Sequence, residues 1–148
     1  MKSDVAALDA IIVGGGFSGT MVAAQLARRG LTSLLVEGSG RAGRGTAYST
    51  REAAHLLNVP AAKMSAWADA PDDFVAAGYP PAAFAARREF GTYLRAILDE
   101  TVASGRVDIA EANAVAADRR GDGWTVTLDD GRMAESAALV LAHGNQPP

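Results

Sequence analysis

The stretch DAIIVGGGFSGTMVAAQLARRGLTSLLVEGSG, residues 9–40, decides the fold. Three consecutive glycines, Gly14 to Gly16, follow directly on a run of isoleucine and valine. Glycine inside a strand or helix costs about 0.5–1 kcal/mol relative to alanine. The chain therefore needs backbone here more than it needs side chains. Ala10–Val13 is a short apolar run of the kind buried on both faces of a parallel sheet. Phe17 to Arg29 reads as a helix, with Met21, Val22 and Leu26 on its packing face and Gly30 as its stop. Thr32–Val36 reads as a second buried strand, ending at Glu37. Strand, helix and strand within about thirty residues is the size of a βαβ unit.

Within that unit, Gly14, Gly16 and Gly19 fit the pattern G-x-G-x-x-G. Each glycine has a physical role in such a turn. Gly14 makes the tight turn off the strand, Gly16 leaves room for a pyrophosphate, and Gly19 lets the helix pack close to the sheet. The N–H groups and partial positive charge at the helix N-terminus then hold phosphates without lysine or arginine. Glu37 follows Gly19 by 18 residues, where an acid accepts hydrogen bonds from ribose hydroxyls. Thr20 stands where a P-loop would need lysine and a nucleophile elbow would need glycine. Ser18 is thus expected to be a phosphate-facing hydroxyl or a helix-start residue, not a nucleophile. The pattern predicts a dinucleotide site.

Composition narrows the function classes. The 148 residues suit one domain, and 32 of them are alanine against 9 aromatics, which favours close approach of helices and sheet. A formal net charge of −3 gives no reason to expect nucleic acid as a partner. The arginine pairs Arg28–Arg29, Arg87–Arg88 and Arg119–Arg120 are scattered and read as solvated. With no cysteine, thiolate metal sites, disulfides and cysteine nucleophiles are excluded. The two histidines, His55 and His143, do not suggest a metal centre, and His55 reads as a loop residue. No run of about eighteen apolar residues suggests a membrane span. A cytoplasmic location is the expectation.

Beyond Glu37 the signals change. Residues 38–86 are glycine-rich and basic, then apolar but aperiodic, then punctuated by prolines, with a short helix expected at Pro71-Asp72-Asp73. A loop this long inside a compact domain is usually functional. Arg87 to Ala103 reads as a helix through Phe90, Tyr93, Leu94, Ile97, Leu98 and Val102. Val107–Ala116 is expected to contain a third strand, residues 119–136 a β-ribbon, and Ala137–Ala142 a further buried strand. Trp67 and Trp124 read as packing residues. The expected fold class is α/β: a Rossmann-like parallel sheet with flanking helices and an inserted antiparallel β-ribbon.

Periodicity leaves the dinucleotide open. Glu37 would repel a 2′-phosphate, so NADP is disfavoured at this site, while FAD and NAD both remain. The chain resembles the FAD/NAD(P)-binding protein family of two-dinucleotide-binding flavoprotein oxidoreductases. The likeness is carried by IIVGGGFSGTMVAAQLARRG (residues 11–30), GRGTAYST (43–50), HLLNVPAAKMS (55–65), REFGTYL (88–94) and LVLAHGNQPP (139–148). It implies FAD as the cofactor, with NAD(P)H as a plausible electron donor of the complete protein. It further implies that Gly14, Gly16, Phe17, Ser18 and Gly19 surround the pyrophosphate and that Glu37 holds the adenosine ribose. Arg44 and Gly45 would sit near the phosphates or ribityl chain, Asn58 and Val59 by the flavin, and Val115, late in the third strand, by the adenine. Gly144 belongs to the strand end beside the cofactor, where His143 replaces the usual threonine.

Family members are longer and return to this domain with a glycine-aspartate segment. Gly121-Asp122 reads as a turn, not as that motif. The expectation is an N-terminal FAD-binding part of a longer protein, with a C-terminal half or a second copy as docking partner and no assignable catalytic residue. An NAD-binding dehydrogenase domain and a non-catalytic nucleotide-binding module are the alternatives.

Overall fold

The computed structural model describes residues 7–145. The described residues form six strands and three α-helices. They are β1 (Leu8–Val13), α1 (Phe17–Arg28), β2 (Ser33–Val36), α2 (Asp73–Ala76), α3 (Arg87–Ala103), β3 (Val107–Ala110), β4 (Ala114–Arg120), β5 (Gly123–Leu128) and β6 (Met133–Leu141). The sheet order is β3-β2-β1-β6-β5-β4. The first four strands in that order are parallel, and β5 and β4 continue antiparallel. The Rossmann-like α/β class expected from the sequence, with its inserted ribbon, is the fold observed.

Only Glu111, Ala112 and Asn113 separate β3 from β4, yet these strands lie at opposite edges of the sheet. A flat six-stranded sheet would set its edges about 24 Å apart, and four residues of extended chain reach about 14 Å at most. The sheet therefore curls, and the ribbon folds back over one face of the parallel strands. Val126 and Leu128 of the ribbon pack there with Ile11, Val36 and Ala110. Asp129 closes the seam: its N–H donates to the Asn113 carbonyl at 2.9 Å, and its carboxylate accepts from the Asn113 amide at 2.7 Å. The opposite face, with Ile12 and Leu35, lies under Ala23 of α1 and Leu98 of α3. Both faces of β1 and β2 are thus covered, whereas the parallel strand β6 leaves Ala137, Ala138 and Leu141 exposed.

Two strand boundaries differ from the sequence reading. The third strand stops at Ala110, because the Ala112 N–H turns back to the Ala110 carbonyl at 2.9 Å; Val115 consequently stands in β4. Residues 133–141 form one continuous strand, and Ser136 pairs with both Leu8 of β1 and Trp124 of β5. The ribbon and the last strand are therefore joined without a turn, and that strand, expected to be buried, has only Ser136 buried because it borders the ribbon on one side.

The segment 38–86 is also more ordered than its lack of periodicity suggests. Leu57, Ala61, Trp67, Phe74 and Ala85 form a core with Met21 and Ala24 of α1 and Phe90, Tyr93 and Leu94 of α3. Phe74 lies 5.1 Å from Phe90 and 5.0 Å from Tyr93, centroid to centroid. Burying each such side chain stabilises by about 1.5–3 kcal/mol. The backbone is tied by Leu57 N–H to the Ala85 carbonyl and Ala61 N–H to the Ala83 carbonyl, both at 2.8 Å. Trp67 is a packing residue, covered by the Arg28 guanidinium 3.3 Å above its ring. The segment works as a third layer on the two helices.

Candidate functional site

The site lies where β1 and β6 end and α1 begins. Gly14 turns the chain off β1 at φ +104°, and a Cβ there would run into the Ala142 carbonyl. Ala142 is itself fixed, its N–H donating to the Val13 carbonyl at 2.8 Å. A Cβ at Gly19 would run into the carbonyl of Gly14 and reach within 3.4 Å of Ile12 Cγ2. So the first turn of α1 sits directly against the end of the strand, as the sequence pattern implies.

Gly16 caps α1 in an extended conformation, with no side chain satisfying the helix end. The first helical bond runs from Thr20 N–H to the Gly16 carbonyl at 3.0 Å. The N–H groups of Phe17, Ser18 and Gly19 thus lie outside the helix's own ladder, at its positive end.

Glu37, half-buried at the end of β2, is the anchor of this corner. Its two carboxylate oxygens accept from Gly15 N–H and from Ser39 N–H, each at 2.8 Å. Burial by itself would raise its pKa, but the hydrogen bonds from Ser39 and Gly15, with the nearby Arg41 charge, outweigh it and hold the pKa below 4.5. Glu37 is therefore an anion at neutral pH. A carboxylate has about four lone-pair sites, so two bonds leave acceptor capacity for hydroxyl donors.

A second loop closes over the glycines. Gly43 N–H donates to the Gly15 carbonyl at 2.7 Å, and Gly45, at φ +60°, brings its backbone against Gly16. This loop rests on α3 at Gly91, where a Cβ would meet the Tyr48 carbonyl. Tyr48 also sets its ring edge-on to Phe90 at 4.9 Å, and Phe17 stacks on the same ring at 6.4 Å.

These pieces enclose a cleft of about 530 Å³, within the roughly 300–1,000 Å³ usual for ligand sites. Of the residues expected from sequence, Gly14, Gly16, Phe17, Glu37, Arg44, Gly45 and Gly144 line it together. Gly19 lies buried beneath it. Ser18 is not among the residues lining the cleft; it borders a shallow groove along α1 with Met21 and Gln25. Asn58 and Val59 are not among the lining residues. Nor is Val115, which is 62 % exposed on β4.

Sequence reasoning missed Ser39, Arg41 and Tyr48, which line the cleft. Ser39 and Arg41 stand within four residues of Glu37, and that adjacency was their only signal. His143 lines the cleft as well, exposed, with Nδ1 3.1 Å from the Gly144 carbonyl. Among the described residues, no group of three or more His, Cys, Asp or Glu side chains is placed to hold a metal ion. None of the described helices is long and apolar enough to cross a membrane.

The glycine turn and its acid are the features of a dinucleotide site, and the comparison of families agrees: a model described as FAD-NAD(P)-binding matches residues 11–146. The chain belongs to this FAD-NAD(P)-binding family. Among solved structures, an oxidised steroid monooxygenase bound to NADP superposes with a TM-score of 0.75 at 23 % identity, over 96 % of this chain and 28 % of that one. A closed cyclohexanone monooxygenase gives 0.73 at 21 % identity, over 96 % and 28 %. A thioredoxin reductase from Gloeobacter violaceus gives 0.63 at 22 % identity, over 95 % and 35 %. At these identities the likeness is one of fold. The chain spans about a quarter to a third of the length of these structures. A comparison with curated proteins found no match. The dinucleotide-binding class and the flavoprotein resemblance read from the sequence both agree with membership of the FAD-NAD(P)-binding family.

Proposed function

We propose that the chain is the N-terminal FAD-binding part of a longer FAD-dependent oxidoreductase, with NAD(P)H as electron donor of the whole protein. The observation that carries this reading is the paired-backbone cradle at Gly16 and Gly45, seated at the free N–H groups of α1 and flanked by the Glu37 carboxylate. A side chain at Gly16 would take up room that a pyrophosphate needs, while one at Gly45 would run into the Gly16 backbone.

In this reading the N–H groups of Phe17, Ser18 and Gly19 bind phosphate oxygens, and Arg44 supplies the charge opposite them. Glu37 accepts from the adenosine ribose with its remaining lone pairs. Gly14 and Gly144 keep the floor of the cleft free of side chains. Asn58 and Val59 stand on the flavin side and Val115 offers backbone to the adenine, though neither group lines the present cleft. When bound, the flavin supplies hydride and electron transfer, and the chain supplies binding and orientation. A cytoplasmic location and a docking partner, either a C-terminal half or a second copy, complete the proposal.

The test is a titration of the purified chain with FAD, NAD and NADP in parallel, followed by desalting and a visible spectrum. Retained flavin absorbance with weaker NAD binding supports the reading. NAD affinity without flavin retention would favour an NAD-binding domain. A stable chain that binds none of the three would make the scaffold a non-catalytic module.

A further inference from the structure

A second cleft, about 910 Å³ in volume, shares Arg41 and Arg44 with the glycine cleft. Five arginines line it: Arg41, Arg44, Arg51, Arg88 and Arg95. The one carboxylate in its lining, Glu89, already accepts the Ala86 N–H at 2.8 Å as a helix cap. Such a concentration of positive charge is unexpected in a chain whose net charge is −3.

The arginines come from two places that the fold brings together. Arg41, Arg44 and Arg51 stand on the loop after β2. Arg88 and Arg95 are seven residues apart on α3, two turns along one face and about 10.5 Å in rise. The aromatic contact of Tyr48 with Phe90 and the close approach at Gly91 hold loop and helix in register. Arg95 has a structural role, paired with Asp99 at 2.8 Å. Among the described residues, none of the other four is in a salt bridge. Arg88 donates to the Arg51 backbone carbonyl at 3.4 Å, which brings its guanidinium to the loop that carries Arg51. Among the described residues Arg44, Arg51 and Arg88 have no salt-bridge partner, while the Arg41 charge is felt by Glu37; like-charged guanidinium groups lining one cavity repel one another unless an anion lies between them. Their planar forks match phosphate and carboxylate oxygens two at a time.

We propose that this cleft binds a small multivalent oxyanion, of the phosphorylated-metabolite class, separately from the dinucleotide. Arg41 and Arg44 form the wall shared by the two clefts, so an anion in one changes the charge felt in the other. The inference does not depend on which dinucleotide the glycine cleft holds, or on whether it holds one.

Isothermal titration of the full chain with inorganic pyrophosphate at low salt tests it, alongside the double variant Arg51→Ala/Arg88→Ala and the single variant Gly16→Val. Arg51 and Arg88 line only the arginine cleft, and both are exposed, so the melting temperature of the double variant should match that of the parent. The expected result is saturable binding that weakens about tenfold or more in the double variant and is unchanged in Gly16→Val. Binding lost in Gly16→Val but kept in the double variant would place the anion in the glycine cleft and overturn the proposal. No binding to the parent chain would overturn it as well, and would leave the arginine face to an acidic protein segment. Citrate is the second probe; citrate binding as tightly as pyrophosphate would overturn the phosphate assignment.

Discussion

Gly16 and Gly45 meet backbone to backbone, but their demands are unequal. A Cβ on Gly45 would lie 2.8 Å from Gly16 Cα, whereas a Cβ on Gly16 would lie 3.6 Å from Gly45 Cα. The first distance forces something to move; the second is ordinary contact. Gly45 also holds φ +60°, while Gly16 sits at φ −74° and ψ −160°, which any residue adopts. The fold needs glycine at 45. It makes no such demand at 16, where the proposed ligand would.

That asymmetry gives the first expectation. Gly16→Ala should unfold at nearly the parent temperature yet bind dinucleotide much more weakly. Gly19→Ala, whose Cβ meets the Gly14 carbonyl, should instead lose about 1–3 kcal/mol of stability. Paired thermal melts and ligand titrations separate the two. A Gly19→Ala protein as stable as the parent would contradict the packing described.

Glu37 links stability to pH. Its folded-state pKa is lowered, so its contribution is fully present above the unfolded value near 4.5 and is lost as pH falls through the lower folded value. Glu37→Gln should remove this acid-dependent component, flattening stability against pH below about 4.5. At neutral pH, Glu37→Ala should destabilise by about 0.5–1.5 kcal/mol per lost hydrogen bond to Gly15 and Ser39. Denaturant melts from pH 3 to 7 provide the check.

Gly91 is remote from phosphate chemistry, yet it sets the loop that carries Arg44 and Gly45. Gly91→Ala should push the Tyr48 carbonyl off α3 and cost about 1–3 kcal/mol, with a loss of dinucleotide affinity although the residue touches no ligand. Unchanged affinity in a destabilised Gly91→Ala protein would detach the loop from binding.

Tyr93 ties α3 to the third layer. Its hydroxyl donates to Asp73 at 2.6 Å and accepts the Ala66 N–H at 3.2 Å. Burial, then the bond to Asp73, pushes its pKa up to about 12. Stability from this group is present below pH 10 and is lost as pH rises toward 12. Tyr93→Phe should cost about 1–3 kcal/mol, since it leaves Ala66 N–H without its acceptor, and should blunt the alkaline loss. Ultraviolet titration of the tyrosines reads the shifted group directly.

Much of this site was legible because its physics is local. The turn at Gly14, the close approach at Gly19 and the acid at Glu37 follow from the order strand, glycines, helix, strand. The boundary errors have a different cause. The run 107–116 reads as one strand because no glycine or proline interrupts it, and only the backbone turn at Ala112 ends β3 before Val115. The ribbon and last strand merge through Ser136, a long-range pairing with no local signal. The core of residues 38–86 is built from single apolar residues with no common period, so its order shows only when α1 and α3 are in place. The arginine cleft was invisible for the same reason: Arg51 and Arg88 are neighbours in space alone.

The most direct measurement is the affinity of FAD for the parent chain and for Gly16→Val, by calorimetry, with a thermal melt of each. The account expects saturable binding to the parent and none detectable in the variant, which still unfolds cooperatively. Equal affinity in the two proteins would contradict it and move the dinucleotide away from the glycine cleft.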